Sequence, residues 1–186
     1  MLNEQIKVAV CSTVHQHDDS RVYHRQTLTL SEHFGTTLYI CAPFAKKEVN
    51  ERLQVIGLPQ WQRKTDRIKN YLLMIKSLFE SNATVFIFHD PELLLLIPFV
   101  KLFKRGKTIY DIHESYHNLI LEKEWIPKFF RKAMANLYNA TEWLVFKFTD
   151  MIWYPHMGVG VHYEKYKNLG KLREKYRYSQ NQPKSC

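Results

Sequence analysis

Short apolar runs alternate with longer amphipathic stretches along most of the chain. Each run is rich in β-branched or aromatic residues, which is typical of strands buried on both faces of a parallel sheet. The six runs are residues 6–14, 36–42, 52–58, 84–88, 108–112 and 151–154. Between them the apolar spacing predicts four helices, at residues 20–33, 65–82, 92–104 and 127–148.

The first of these helices has clear boundaries in the sequence. Asp19 or Ser20 is a suitable N-terminal cap, and we expect Leu28 and Leu30 on the inner side. Strands alternate with helices from residue 6 to about residue 154, so the fold class predicted is α/β. Right-handed crossovers would then give a Rossmann-like doubly wound parallel sheet with helices on both faces.

Length and composition set further limits. The chain has 186 residues, of which 45% are hydrophobic, so it can form one sizeable core. We predict a single domain over residues 1–170, including a short helix at 161–170, followed by a basic polar C-terminal tail at residues 171–186. The amino terminus lacks the features of a secretory signal, and the longest apolar stretch is too short to span a membrane, so we expect a cytoplasmic protein.

The formal net charge of +9 favours anionic partners. The basic residues are scattered and no nucleic-acid motif is present, so we expect no nucleic-acid partner. Two stretches, at residues 98–107 and 125–132, combine aromatic and basic side chains. They suggest peripheral contact with an anionic membrane, whereas the alternative is that Trp125, Phe129 and Phe130 belong to the core.

Histidine and acidic side chains follow three of the predicted strands. Ligands of doubly wound sheets bind beyond the carboxyl ends of the strands, so we expect these side chains to share one edge. The three clusters are His15, His17, Asp18, Asp19 and Arg21; His89, Asp90 and Glu92; and Asp111, His113 and Glu114. Helix capping is the alternative for the aspartates, but capping does not explain the histidines.

Four motifs occur in order along the chain. They are STVHQHDDSRVYHRQTLTLSEHFG, FHDPELL, IYDIHESY and LEKEWIPKFFRK. Together they resemble the first domain of retaining GT-B glycosyltransferases of family four, which assemble bacterial surface polysaccharides of the cell envelope. The resemblance covers roughly residues 6–170 and implies an acceptor-side domain that works with a second domain, which holds most of the nucleotide-sugar donor.

The resemblance also implies roles for individual residues. His15, Asp18 and Arg21 correspond to the loop that faces the transferring sugar, and His89, Asp90 and Glu92 correspond to the middle substrate-binding motif. His113 is the residue we expect to orient or deprotonate the acceptor hydroxyl, with Glu114 orienting His113. No metal and no cofactor are expected.

One departure from the family concerns its second domain. That domain carries two glutamates separated by seven residues, and the only such pair here, Glu114 and Glu122, lies in the first-domain region, so we regard it as accidental. The sequence therefore looks like half of an enzyme, a truncated one or one completed by a partner chain. We expect little or no transfer of a sugar to a polysaccharide or lipid-linked acceptor by this chain alone.

Two other functions are compatible with the sequence. The first is a non-catalytic module that binds an acceptor or a partner. The second is a metal-dependent hydrolase, because HQHDD and HDPE contain plausible metal ligands.

Overall fold

The structure is a computed structural model that describes residues 6–41, 47–60, 63, 65–154, 159, 163 and 172–174. The fold is α/β with a parallel sheet flanked by helices, the Rossmann-like doubly wound class that the sequence predicts. The chain divides into two compact units, Met1–Thr108 and Ile109–Cys186. Among the described residues, no helix is long and apolar enough to cross a bilayer.

In the described part of the first unit, five strands form the sheet. They are β1 (Val8–Cys11), β2 (Thr37–Cys41), β3 (Lys47–Asn50), β4 (Leu53–Gly57) and β5 (Val85–Phe88). Their order is β3-β4-β2-β1-β5, and β3, which the apolar pattern does not predict, is antiparallel to β4 while the other pairs are parallel. All four residues of β1 are buried, as expected for the central strand of a sheet covered on both faces.

The helices of the first unit follow the predicted positions with irregular turns. After β1 the chain makes π-helical turns (Ser20–Thr27) and continues as α1 (Leu28–His33), and α2 (Asp66–Glu80) precedes β5. After β5 come a 3₁₀ turn (Pro91–Leu93), α3 (Leu96–Phe99) and further π-helical turns (Val100–Lys104).

The path of the chain creates a switch point next to β1. From β1 the chain moves to β2 on one side, and α2 later returns it to β5 on the other side. Because parallel crossovers are right-handed, the two directions place helices on opposite faces of the sheet. The gap beyond the carboxyl ends of β1 and β5 is therefore where a ligand is expected to bind.

The inner face of the helix after β1 includes residues that the sequence analysis did not name. Leu28 and Leu30 are only half-buried, whereas Val22, Gln26 and Thr27 are buried. In π-helical turns each backbone bond spans five residues rather than four, which rotates the following side chains relative to an α-helix. Leu28 and Leu30 are thus partly covered, and the buried face of this segment also includes Val22, Gln26 and Thr27.

The described part of the second unit includes the remaining strands and the helices α4 and α5. They are β6 (Lys107–Asp111), within which the division of the chain falls, α4 (Tyr116–Glu122), α5 (Lys128–Phe146), β7 (Met151–Tyr154) and β8 (Leu172–Glu174). β7 is parallel to β6 and to β8. Strand β8 lies in the segment predicted to be a tail, whose other residues, like most of the helix predicted at 161–170, lie outside the described residues.

Candidate functional site

The ends of β1 and β5 bring two of the three predicted clusters together. Cys11, the last residue of β1, pairs with Phe88, the last residue of β5, so the segments that follow leave the sheet side by side. The rings of His15 and His89 are 6.0 Å apart between centroids, with planes at 73°. The first two clusters therefore share one edge of the sheet, as predicted from the strand ends.

The buried carboxylate of Asp90 ties these two segments together. Its Oδ2 accepts hydrogen bonds from Ser12 Oγ at 2.8 Å and from the backbone N–H of Thr13 at 2.6 Å. Ser12 Oγ also accepts from the backbone N–H of His15 at 2.8 Å. Hydrogen bonds to a charged acceptor are stronger than neutral ones, so Asp90 holds the loop after β1 in a fixed conformation.

Glu92 lies at the rim of this loop and joins three elements. One carboxylate oxygen accepts from Thr13 Oγ1, and the other pairs with the Arg67 guanidinium at the start of α2. A cavity of about 220 Å³ borders the pair and is lined by Arg67, Ile68, Tyr71 and Glu92. Partial burial, together with the negative charge of Glu92, raises the pKa of the Tyr71 hydroxyl, which therefore stays protonated at neutral pH.

His15 is held by the cap of the following helix. Asp19 Oδ1 accepts from the backbone N–H of Arg21 and of Val22, at 2.9 and 2.7 Å. Asp19 Oδ2 lies 3.0 Å from His15 Nδ1. Desolvation alone would raise the pKa of the Asp19 carboxyl, but the hydrogen bonds from Val22, His15 and Arg21 outweigh it and lower the pKa to about 2. Asp19 is therefore an anion that orients the His15 ring.

The other predicted residues of this loop are placed differently. Asp18 is exposed, and Arg21 is half-buried with its backbone N–H on Asp19. Tyr39, which is fully buried on β2, donates its hydroxyl to the carbonyl of Gln16 at 2.8 Å. Asp19 thus contacts His15, while Asp18, which the resemblance assigns to the loop facing the transferring sugar, is exposed to solvent.

The third predicted cluster belongs to the second unit. His113 is buried and Glu114 is exposed, just after β6. Tyr163 donates its hydroxyl to Glu142 Oε1 at 2.9 Å and reaches the carbonyl of Glu114 at 3.5 Å. The Glu114 side chain makes no hydrogen bond or ion pair among the described residues, so the predicted orientation of His113 by Glu114 is not seen as a direct contact.

Several residues of the site were missed by the sequence analysis. Ser12 and Thr13 belonged to an apolar run and were assigned to the strand, although a Ser-Thr pair at the end of a buried run is a signal for a strand end. Arg67 and Tyr71 lie one helical turn apart on α2. The apolar pattern of this helix predicts only which residues are buried, so it did not indicate a role for these two. Only the fold brings that helix to the ends of β1 and β5.

Comparison with known proteins adds no assignment. No protein-family model matches the chain, and no curated protein matches it. The function is therefore inferred from the sequence motifs and from the geometry described above.

Proposed function

We propose that the chain is the acceptor-side half of a retaining glycosyltransferase, which transfers a sugar from a nucleotide-sugar donor to a polysaccharide or lipid-linked acceptor. The observation that carries the proposal is the meeting of two polar strand ends at the switch point, where Asp90 joins them and His15 lies beside His89. The four sequence motifs that resemble family-four enzymes provide independent support.

The side chains at this edge suit a carbohydrate ligand. Sugar hydroxyls both donate and accept hydrogen bonds, and Glu92, Arg67 and the Tyr71 hydroxyl offer acceptors and donors around one cavity. Tyr71 also offers an aromatic ring against which the apolar C–H groups of a sugar can pack. We assign the cavity beside Glu92 to the acceptor.

The chemical step would use the histidines and acids of the predicted site. Cleavage of a sugar–phosphate bond develops positive charge at the anomeric carbon, which nearby carboxylates stabilise. In this proposal His113 accepts the proton of the attacking acceptor hydroxyl. Residues that bind the donor diphosphate would come from a second domain or a partner chain on the cytoplasmic side of the membrane.

Saturation-transfer NMR on the purified chain tests the acceptor site. The ligands are a panel of oligosaccharides and sugar diphosphates with short lipid chains, beside nucleotide sugars. We expect transfer of saturation to the sugar protons of at least one acceptor, and loss of that signal in Glu92→Gln and Arg67→Met. Lys69→Met is the matched control, because Lys69 lies on the same helix and is mostly exposed.

Three results would contradict the proposal. One is a chain that binds no carbohydrate in the panel. Another is a carbohydrate signal that Glu92→Gln and Arg67→Met leave at the level of the Lys69→Met control. Tight binding of nucleotide sugars by the chain alone would also contradict the assignment of this half to the acceptor.

A carbohydrate- or partner-binding module without catalysis is the second candidate. It is favoured by two carboxylates that already have partners within the chain. Asp90 accepts a hydrogen bond from Ser12, and Glu92 accepts one from Thr13 and pairs with Arg67. Radiolabelled nucleotide sugars distinguish the two candidates when a separately expressed donor domain is added. A transferase half gives labelled acceptor that His113→Ala abolishes, whereas a binding module gives none.

A further inference from the structure

A patch of large apolar side chains is exposed at the start of α5. The α5 surface consists of Trp125, Phe129, Phe130 and Leu137, which are 76%, 76%, 53% and 69% exposed. The rings of Phe129 and Phe130 lie 4.3 Å apart between centroids. Single exposed apolar residues are ordinary, but several large apolar side chains exposed within one short segment indicate a surface that binds a partner.

Helix α5 is apolar on two opposite faces. Ala135, Val145 and Phe146 are buried in the second unit, as expected for the inner face of an amphipathic helix. At 100° per residue, Phe129, Phe130 and Leu137 fall on the other side of the helix, where a surface helix ordinarily carries polar residues. The alternative that Trp125, Phe129 and Phe130 are core residues is thus excluded by their exposure.

The segment that carries Trp125 is fixed in place. Ile126, the next residue, is 3% exposed and anchors the turn between α4 and α5. The Arg131 guanidinium donates to the carbonyls of Ile126, Glu124 and Leu121, at 2.7, 3.2 and 3.4 Å. Trp125 is therefore held out into solvent by an ordered turn, which lowers the entropy that binding through this side chain would cost.

Basic side chains are close in sequence to the aromatic ones. Residues 121–132 contain four basic and two acidic side chains, so the segment is net positive within a chain whose net charge is +9. Lys123, Lys128 and Lys132 are exposed. A second copy of this chain would bring like charges together in a symmetric contact, whereas an anionic bilayer would neutralise them.

We propose that the α5 surface docks on an anionic lipid bilayer. Trp125, Phe129 and Phe130 insert at the boundary between headgroups and acyl chains, and the lysines contact the lipid phosphates. This inference does not depend on the transferase proposal, because it uses other residues and a different ligand.

Vesicle flotation with the full chain tests the proposal. The vesicles contain phosphatidylcholine alone or phosphatidylcholine with phosphatidylglycerol. We expect binding to the anionic vesicles, weaker binding at high salt, and a loss of about tenfold or more in Trp125→Ala/Phe129→Ala and in Lys128→Glu/Lys132→Glu. Leu72→Ala/Leu73→Ala and Lys69→Glu/Lys76→Glu are the matched controls, since these four residues are exposed on α2 in the first unit.

Fluorescence provides a second measurement. Brominated phosphatidylglycerol should quench tryptophan emission of the wild type, and Trp125→Phe should lose most of the quenched component. Binding that is equal for neutral and anionic vesicles would overturn the proposal, as would equal losses in the controls. A third outcome is that the chain binds no vesicles but self-associates in sedimentation experiments. If Trp125→Ala/Phe129→Ala removed that self-association, the surface would be assigned to a second copy instead.

Discussion

At the scale of single residues, Asp90 has the clearest structural task. Its buried carboxylate accepts from a hydroxyl and from backbone N–H groups of the segment after β1, so removing it leaves several buried donors without an acceptor. A buried donor that loses a charged acceptor costs more than an ordinary hydrogen bond contributes. The side chain therefore supports the site even where it does not touch a ligand.

Asp90→Ala should lower the free energy of unfolding by about 2–4 kcal/mol, because the donors of Ser12 and Thr13 become unsatisfied. Urea unfolding followed by circular dichroism gives the value. Asp18→Ala, an exposed change in the same loop, should stay within about 0.5 kcal/mol of the wild type. Equal effects of the two substitutions would rule out the anchoring role.

Asp19 should make stability depend on acidic pH. Folding lowers its pKa from 3.8 to about 2, so the unfolded chain binds the proton more readily than the folded one. The resulting stabilisation is complete above a pH of about 4 and is lost as the pH falls towards 2. For this partly exposed carboxyl we expect a contribution of about 1 kcal/mol after solvent screening.

Urea unfolding at a series of pH values measures the contribution of Asp19. Asp19→Asn keeps an N-terminal cap but does not titrate, so its stability deficit relative to the wild type should shrink as the pH falls. A deficit that is constant with pH, or that matches the deficit of Asp18→Asn throughout, would contradict the predicted linkage.

Residue identities at the site were partly predictable. Histidine and acidic residues after a strand predicted the edge of the sheet at which the site lies, and Asp90 does join the segments that follow β1 and β5. The sequence could not decide whether Asp18 or Asp19 caps the helix, because the capping residue depends on the backbone direction at the start of the helix. The ion pair of Glu92 with Arg67 joins residues far apart in sequence, and no local pattern reveals such a pair.

At the scale of elements, the turn that follows the helix after β5 has strict steric requirements. A Cβ at Gly106 would meet the ring of Phe86, with Cδ2 only 2.7 Å away, and Phe86 is fully buried. The preceding residue, Arg105, has φ of 52°, in the left-handed region where a side chain is unfavourable.

The two neighbouring residues should therefore respond oppositely to substitution. Gly106→Ala should destabilise the protein by about 1–3 kcal/mol, because the added methyl overpacks a buried ring. Arg105→Gly should be neutral or stabilising by up to about 1 kcal/mol, since glycine relieves the left-handed conformation. Thermal or urea unfolding checks both values, and a Gly106→Ala protein as stable as the wild type would disprove the close approach.

Strands were easier to predict than the irregular helical segments. The runs that became β1, β2, β4, β5, β6 and β7 are mostly apolar, which is the signal of a buried parallel strand. Strand β3 is short and polar and pairs at the outside of β4, while α4 has no buried residue and so no strong apolar stripe. The π-helical turns arise from backbone hydrogen bonding, which the apolar pattern does not encode.

At the scale of the whole molecule, alternation of strands and helices was enough to predict the fold class. Few arrangements satisfy right-handed crossovers and buried parallel strands together, so the class follows from the pattern without knowledge of side-chain contacts. The roles of His15, Asp18, Arg21, His89, Asp90, Glu92, His113 and Glu114 in binding or catalysis remain predictions. They depend on ligands, whose contacts the chain's own packing does not specify.

Cys11 should report on opening of the sheet of the first unit. Its thiol is fully buried in the central strand, and burial, with a smaller effect of Asp90, raises its pKa well above the usual range. Only the thiolate reacts with alkylating reagents, so Cys11 should be alkylated by iodoacetamide only when this strand is exposed by unfolding.

Peptide mass spectrometry after timed labelling measures the reaction at Cys11 separately from the other cysteines. The rate in native buffer should lie far below the rate in guanidinium chloride and should rise steeply through the unfolding transition. Labelling in native buffer as fast as in denaturant would show that β1 is accessible.

The loop after β1 is fastened at three places, by Asp90 to β5, by Tyr39 to β2 and by Asp19 to its own helix. Because the loop is already ordered, it loses little conformational entropy when a ligand binds to it. A ligand would then bind without a slow rearrangement of the loop. We therefore expect a fast association rate, and the dissociation rate should determine the lifetime of the complex.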